Sequence, residues 1–282
     1  MPLITSTQML LDAQKNGYAL GAFNIENMEM AQAVIAAAEA LNAPVILQTT
    51  SSTLQYAAPE LYLAIVAELA KQAKVPVAMH LDHGDSFDLA LRAVRAGYTS
   101  IMIDGSHQSF EDNINLTKRV VGIANPGGIP VEAELGMVGG KEDDLDGGNG
   151  GYTDPALAKE FVEQTGISSL AVAIGTAHGV YASKPKLDVE RLSRIRELVS
   201  IPLVLHGASG LADEDIAECI QRGICKVNFA TELRIAYSNG VKEMLGKTAD
   251  VFDPKKYGAA GRERVKQLCM DRMIVCGCRN RI

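Results

Sequence analysis

Short apolar segments alternate with longer amphipathic segments along almost the whole chain. In the longer segments, apolar residues recur every three or four positions, which is the period of a helix with one buried face. Four clear examples are Met28–Leu41, Glu60–Ala73, Phe87–Ala96 and Phe110–Ile123. The short segments are nearly continuous in apolar residues, as expected of strands buried on both faces of a parallel sheet. Eight such strands are predicted: Ala19–Asn24, Val45–Gln48, Val77–Leu81, Ser100–Asp104, Val131–Leu135, Ser169–Ile174, Leu203–His206 and Cys225–Phe229.

The number and spacing of these strands favour a closed barrel. Eight strand–helix units in about 230 residues fit a (β/α)8 TIM barrel. Proline or glycine stands just before several strands, as at Pro44, Pro76 and Pro130, where it ends the preceding helix. We therefore predict an α/β fold in which residues 1–282 form a single TIM-barrel domain with a C-terminal helical extension. A doubly wound open sheet is the alternative that the same alternation allows.

Composition narrows the class of protein. The 282 residues are 47% hydrophobic and 22% charged, and the net charge of −7 disfavours nucleic acid and anionic membrane as partners. The chain has no apolar run of about 18 residues, and its N-terminus does not resemble a secretion signal. Its five cysteines are odd in number and irregular in spacing, which predicts a reducing cytoplasm and no disulfide framework. We interpret Cys276 and Cys278 as inert.

Three histidines lie at or just past the carboxyl ends of three predicted strands: His83, His178 and His206. These ends meet at one face of a barrel, so the imidazoles are expected to converge. Three protein ligands and one open position is the arrangement of catalytic zinc. We predict one Zn²⁺ at this point. The remaining histidines, His80 and His107, have no matching partners, and we interpret them as structural.

Acidic residues accompany the predicted metal. Asp82 is adjacent to a histidine, where it would either transfer a proton or support a metal ligand. Glu132 and Glu134 alternate along one strand, so both are expected to face the barrel interior. The long segment Gly136–Tyr152 is rich in glycine and acidic residues and is predicted to be a mobile loop that brings Glu142 into the site as a base. Asn24, Asp104 and Asn228 also fall at strand ends, and we expect them to bind substrate.

The segments after the sixth, seventh and eighth strands predict a phosphate site. Barrels bind phosphate there with backbone N–H groups and a helix N-terminus. Gly179 and Gly207 directly follow two of the histidines, and Ser209 and Thr231 offer hydroxyl donors. Together with the metal, they predict a phosphorylated substrate.

Five motifs, taken in order, resemble the class II, zinc-dependent ketose-bisphosphate aldolases. The likeness extends from about Ser6 to Ile282, and two of the motifs, together with the overall length, look most like the tagatose-bisphosphate branch, with the fructose-bisphosphate branch close behind. The motifs are Leu81–Gly84, Val131–Asp144, Ala173–Gly179, Leu205–Gly210 and Lys226–Thr231.

The resemblance implies reversible cleavage of a ketose 1,6-bisphosphate, tagatose 1,6-bisphosphate before fructose 1,6-bisphosphate, into dihydroxyacetone phosphate and glyceraldehyde 3-phosphate. It implies zinc on the three histidines, with Glu134 able to approach the metal, Asp82 as proton carrier and Glu142 as loop acid. It further implies a homodimer or homotetramer, and it leaves open an activating partner subunit. A monovalent cation (Na⁺ or K⁺) and phosphate would lie at Gly179, Gly207 and Ser209, with Asn228 and Thr231 on the substrate.

One position departs from the family pattern. The family often has arginine after an Asp-Pro pair near the C-terminus, whereas this chain has Asp253-Pro254-Lys255. Lysine keeps the charge but loses the bidentate geometry, so a ketose monophosphate or a non-sugar aldehyde partner stays open. Two other classes compete: a metal-dependent barrel hydrolase and a non-catalytic assembly subunit. Chelator-sensitive release of dihydroxyacetone phosphate would support the aldolase alone.

Overall fold

Eight parallel strands form a closed barrel in a computed structural model of the chain, which describes residues 3–142, 145–146, 150–181, 183–247 and 250–282. The strands pair in the order β1-β2-β3-β4-β5-β8-β10-β11, and β11 closes on β1. The predicted barrel is confirmed. The strands of the described residues are β1 (Leu20–Asn24), β2 (Val45–Thr49), β3 (Val77–Gly84), β4 (Ser100–Ile103), β5 (Val131–Leu135), β6 (Gly139–Glu142), β7 (Leu145–Asp146), β8 (Ser169–Val172), β9 (Ala177–His178), β10 (Leu203–Leu205) and β11 (Ile224–Phe229).

Helices surround the barrel, and the four that periodicity predicted occur with ends within one residue of the prediction. The helices are α1 (Ser6–Asn16), α2 (Met28–Leu41), α3 (Ser51–Tyr56), α4 (Pro59–Gln72), α5 (Phe87–Ala96), α6 (Phe110–Ala124), α7 (Pro155–Thr165), α8 (Val189–Leu198), α9 (Asp213–Gln221), α10 (Thr231–Lys247) and α11 (Pro254–Val275). Helix α11 is the predicted C-terminal extension. Among the described residues, no helix is long and apolar enough to cross a membrane.

Local signals explain where the helices start and stop. The side chain of Asn27 accepts a hydrogen bond from the N–H of Met30 and so caps α2. Ser86 does the same for α5, which ends at Gly97 in the left-handed conformation that glycine adopts readily. Each cap therefore fixes the position at which the chain turns between a helix and a strand.

The N-terminal helix α1 was not predicted, and it lies at the amino ends of the strands. The N–H of Ile4 donates to the carbonyl of Val77, the first residue of β3, at 2.9 Å. Ser6 Oγ donates to Ser100 Oγ, at the start of β4, at 3.0 Å. The helix thus covers the end of the barrel that lies opposite the predicted site.

The described residues of the segment 136–152 include two short strands, which the sequence did not predict. Strands β6 and β7 form an antiparallel pair, and β6 also pairs in parallel with β9, the strand that carries His178. Gly140 has φ +81°, and a Cβ there would come 2.3 Å from the carbonyl oxygen of His178. Its glycines therefore permit close backbone packing against the histidine segment, a role that glycine content alone did not reveal. Residues 143–144 and 147–149 lie outside the described part of the chain.

Polar side chains inside the barrel occupy two levels. The upper level, at the carboxyl ends of the strands, contains Asn24, Gln48, Asp82, Glu134 and Asn228. The lower level lies two residues earlier on three of the same strands, where alternation returns the side chain to the same face. Its members are His80 on β3, Glu132 on β5 and Lys226 on β11.

The cysteines are all buried, and none forms a disulfide. Burial raises the pKa of the Cys276 thiol well above its usual value. It raises that of Cys278 to about 12. Both thiols therefore stay protonated at neutral pH, in agreement with their interpretation as inert.

Candidate active site

His83, His178 and His206 converge at the carboxyl ends of the barrel strands. One ring nitrogen from each histidine lies within 4.8 Å of one ring nitrogen from each of the other two. The shortest approach is 2.8 Å, between Nδ1 of His206 and Nε2 of His83. Three distant chain segments thus deliver three imidazoles to one point, as the sequence predicted.

A local irregularity lets Asp82 and His83 both reach this point. Consecutive residues of a regular strand face opposite sides. His83, however, has φ +45°, and the pairing of β3 with β4 shifts between Leu81 and Gly84. Ser51 Oγ donates to the carbonyl oxygen of His83 at 2.8 Å and holds the turn. The irregularity brings both neighbours into one site.

Two carboxylates orient two of the imidazoles. Asp104 Oδ2 lies 2.8 Å from Nδ1 of His83, and Glu132 Oε1 lies 2.9 Å from Nε2 of His206. In both rings the other nitrogen faces the point at which the three imidazoles meet. Such carboxylate–histidine pairs fix the ring and its tautomer around a metal. Asp104, predicted to bind substrate, therefore touches His83; its other oxygen accepts the N–H of Ser106 at 2.9 Å.

The charges around His83 favour a cation. Burial alone would lower the pKa of His83, but the charges of Asp82, Asp104 and Glu134 raise it well above its usual value. Burial likewise acts to raise the pKa of Asp104, yet the hydrogen bond and charge of His83 carry it below its ordinary range. A place that stabilises an imidazolium also stabilises a metal ion.

The other two histidines provide neutral donors. Burial, followed by the charge of His83, lowers the pKa of both His178 and His206 well below the usual value. Neutral imidazole is the form that binds zinc. This set of nitrogen donors, with the surrounding carboxylates, therefore fits a divalent metal ion.

Glu134 faces the same point. Burial, reinforced by the charge of Asp104, raises its pKa to about 8. Its Oε1 accepts the N–H of Val138 at 3.0 Å, whereas Oε2 lies 3.5 Å from Nδ1 of His206. Within the described residues, that second oxygen is buried and makes no hydrogen bond. A cation at the histidines would give it a partner.

Three side-chain amides surround Asp82. Asn24 and Gln48 donate to its Oδ2 at 2.9 and 3.1 Å, and Asn228 donates to Oδ1 at 2.9 Å. Gln48 also donates to Oδ1 of Asn24 at 2.7 Å. Sequence reasoning missed Gln48, although it is the polar residue that closes the apolar segment of β2. Among the described residues, Gln48 Oε1 and Asn228 Oδ1 are buried acceptors without a hydrogen bond.

Most of the residues predicted to bind phosphate line a cavity of about 180 Å³. Gly179, Ser209 and Thr231 all line it. Ser209 Oγ accepts the N–H of Ala230 at 3.2 Å, which leaves its hydrogen for a ligand. Gly207 is not in the wall. Its carbonyl accepts the hydroxyl of Tyr181 at 2.7 Å.

The remaining predicted residues lie elsewhere. Glu142 ends β6, and its side chain is outside the described part of the structure. His80 bonds to Ser100 and not to the shared point, and His107 is exposed. Lys255 is 87% exposed in the first turn of α11, where its Nζ lies 2.9 Å from Asp253.

Comparison with known proteins places the chain in a family. A family model of class-II fructose-bisphosphate aldolase matches residues 4–281. The chain is similar to the YdjI aldolase from Escherichia coli K12, with 39% identity over 98% of both chains and a TM-score of 0.87. It is also similar to a putative fructose-1,6-biphosphate aldolase from Coccidioides immitis, with 33% identity over 96% of both chains and a TM-score of 0.90.

A third solved structure shares the fold. Fructose-bisphosphate aldolase from Campylobacter jejuni is 24% identical over 100% of this chain and 97% of its own, with a TM-score of 0.85. Class II aldolases are generally metal-dependent, and the three-histidine cluster offers donors for such an ion. Because the family model spans nearly the whole sequence, the protein belongs to the class II fructose-bisphosphate aldolase family and is a lyase that acts on carbon–carbon bonds.

Proposed function

We propose that the protein cleaves a ketose 1,6-bisphosphate reversibly, with tagatose 1,6-bisphosphate as the foremost substrate and fructose 1,6-bisphosphate as the alternative. The products are dihydroxyacetone phosphate and glyceraldehyde 3-phosphate. The observation that carries the proposal is the convergence of three imidazoles within 4.8 Å beside a carboxylate held by three amides. This arrangement combines a place for a metal with a group for proton transfer.

The metal is proposed to be Zn²⁺, held by His83, His178 and His206, with Glu134 close enough to join them. When bound, the ion supplies a Lewis acid that draws electron density from the ketose carbonyl. The chain's own contribution is to present neutral nitrogen donors in fixed orientations. Asp104 and Glu132 do so through their hydrogen bonds to two of the rings.

Asp82 is proposed to carry the proton of the cleavage step. When the bond between C3 and C4 breaks, the C4 hydroxyl loses its proton and C4 becomes the aldehyde carbon. Asp82 accepts this proton and returns it in condensation. A carboxylate offers about four acceptor positions, and three are filled by amides, so one is left for the hydroxyl.

The rest of the substrate is proposed to bind along the barrel mouth. Gly179, Ser209 and Thr231 would hold the phosphate of the dihydroxyacetone half, aided by the N-terminus of α10. The carbonyl of Gly207 would contribute to a monovalent cation site (Na⁺ or K⁺). Asn228 would bind a sugar hydroxyl, and Asn24 would hold the Asp82 carboxylate in line with it.

Further proposals follow from the family resemblance. Glu142 would exchange the proton at C3 of dihydroxyacetone phosphate. The chain would act as one barrel domain in a homodimer or homotetramer in the cytoplasm, with an activating partner subunit as a further possibility.

The four C3/C4-epimeric ketohexose 1,6-bisphosphates provide the direct test. Release of dihydroxyacetone phosphate is measured for each, with native enzyme, after chelation, and after zinc is restored. We expect the tagatose epimer to react fastest, chelation to abolish cleavage and zinc to recover it. His206→Ala, the matched control, should neither bind zinc nor respond to it. Cleavage of none of the four, or cleavage that survives chelation, would overturn the proposal.

A further inference from the structure

A buried lysine lies below the histidine cluster, and the proposed mechanism gives it no role. Lys226 is 1% exposed and projects from β11 into the lower level of the barrel. Its Nζ lies 3.1 and 3.0 Å from the two oxygens of Glu132. Burial of an ammonium is costly unless it is paired and hydrogen-bonded. Glu132 supplies that partner, and the pair lies next to the candidate metal site.

Glu132 links the lysine to the metal cluster. Its Oε1 also lies 2.9 Å from Nε2 of His206. An ionised carboxylate only accepts hydrogen bonds, so Nε2 of His206 carries the hydrogen. A ring that carries its hydrogen on Nε2 can bind a metal only through Nδ1, which is the atom that faces His83.

His80 also lies near Glu132, without a hydrogen bond to it. Ser6 Oγ donates to Ser100 Oγ, so the Ser100 hydroxyl hydrogen is left for Nδ1 of His80, 2.7 Å away. The hydrogen of His80 is then on Nε2, which lies 3.9 Å from Oε2 of Glu132. Lys226 and His206 therefore donate to Glu132, and the N–H of His80 lies nearby.

A covalent role for Lys226 does not fit these contacts. A lysine that attacks a carbonyl must be neutral and must touch the substrate. The Lys226 ammonium is shared between both oxygens of a carboxylate, and the side chain is enclosed beneath the histidines. Its position suits control of another group.

We propose that Lys226 is a positioning residue for the metal centre: its ammonium pairs with both oxygens of Glu132 and holds that carboxylate in place, and Glu132 holds His206 in the tautomer and orientation that present Nδ1 to the metal. The inference rests on the proposed metal site at His83, His178 and His206. Loss of such an indirect partner typically weakens metal binding about 10- to 100-fold.

The test separates metal binding from folding. In the double variant Lys226→Met/Glu132→Leu, an apolar pair replaces both charges, so neither is left alone in the interior. Metal-free protein is titrated with zinc against a competing chelator, and its thermal unfolding is recorded in parallel. We expect unfolding of the metal-free double variant close to wild type and a zinc dissociation constant raised about 10- to 100-fold.

Ser100→Ala is the matched control. It alters the same buried level through His80 but leaves the Glu132–His206 contact in place. Its zinc affinity should equal that of the wild type. If the double variant does not fold, Lys226→Met/Glu132→Gln replaces it. The glutamine can turn either its oxygen or its NH2 group toward Nε2, so it no longer fixes the tautomer of His206, and zinc affinity should again fall.

The outcomes distinguish an error in the proposed metal site from an error in the role of Lys226. Unchanged zinc affinity in His206→Ala would refute the metal site itself. Loss of zinc in His206→Ala together with wild-type affinity in the folded double variant would refute only the role of Lys226. Borohydride trapping of dihydroxyacetone phosphate on Lys226 would replace positioning with covalent catalysis.

Discussion

Asp82 and Glu132 are both buried carboxylates inside the barrel, but the groups that donate hydrogen bonds to them differ in charge. Asp82 is held by the amides of Asn24, Gln48 and Asn228. Glu132 shares its oxygens with an ammonium and an imidazole, and a second imidazole lies nearby. Neutral donors orient a carboxylate without committing it to the ionised form, whereas a buried cation does commit it. The upper level thus suits the proposed proton transfer, and the lower level holds fixed charge.

Substitution of Asp82 should have the largest effect on catalysis. We expect Asp82→Ala to lower cleavage by roughly 10²- to 10⁴-fold, the usual contribution of a general acid–base group. Zinc content should remain that of the wild type, because Asp82 is held by amides and not by the metal cluster. Turnover and bound zinc are measured on the same preparation. If zinc is lost along with activity, Asp82 belongs to the metal-binding set.

Substitution of Glu132 should chiefly affect stability. Glu132→Ala leaves the Lys226 ammonium buried and alone, which typically costs about 3–5 kcal/mol of unfolding free energy. Asp82→Ala removes a carboxylate whose partners are neutral, so its cost should be clearly smaller. Denaturant unfolding of the two metal-free variants compares them directly. Equal losses of stability would show that the two levels do not differ as their donors suggest.

The eight barrel strands, four of the helices and the positions of the three histidines could be predicted because they depend on local periodicity and on the geometry of strand ends. What the sequence did not reveal depends on closure of the barrel. Lys226 and Glu132 are 94 residues apart, and alternation shows that each faces inward but not that they meet. The positive φ of His83 and the pairing of β6 with β9 also arise from contacts between distant segments.

Asp104 and Gln48 show how far the role of a single residue can be predicted from the sequence. Asp104 lies at a strand end, and the sequence predicted that it binds substrate. Its carboxylate instead hydrogen-bonds to His83 on the neighbouring strand β3. Gln48 ends an apolar segment and gave no chemical signal of its own. Only the register of β2 against β1 and β3 shows that its amide lies between Asn24 and Asp82.

The smallest expected effect comes from changing one of the uncharged amides that donate to Asp82. Gln48→Leu removes one amide donor, and a neutral hydrogen bond contributes about 0.5–1.5 kcal/mol, so kcat/KM should fall by about 2- to 10-fold. Gln48→Glu has nearly the same shape as the wild type, but it adds a second carboxylate beside Asp82. Two adjacent carboxylates resist ionising together, so the charged variant should lose more activity than the apolar one, despite its closer fit. Kinetics of both variants on one substrate give the order. Activity of Gln48→Glu equal to or above that of Gln48→Leu would show that shape, and not the absence of charge, is what the upper level requires.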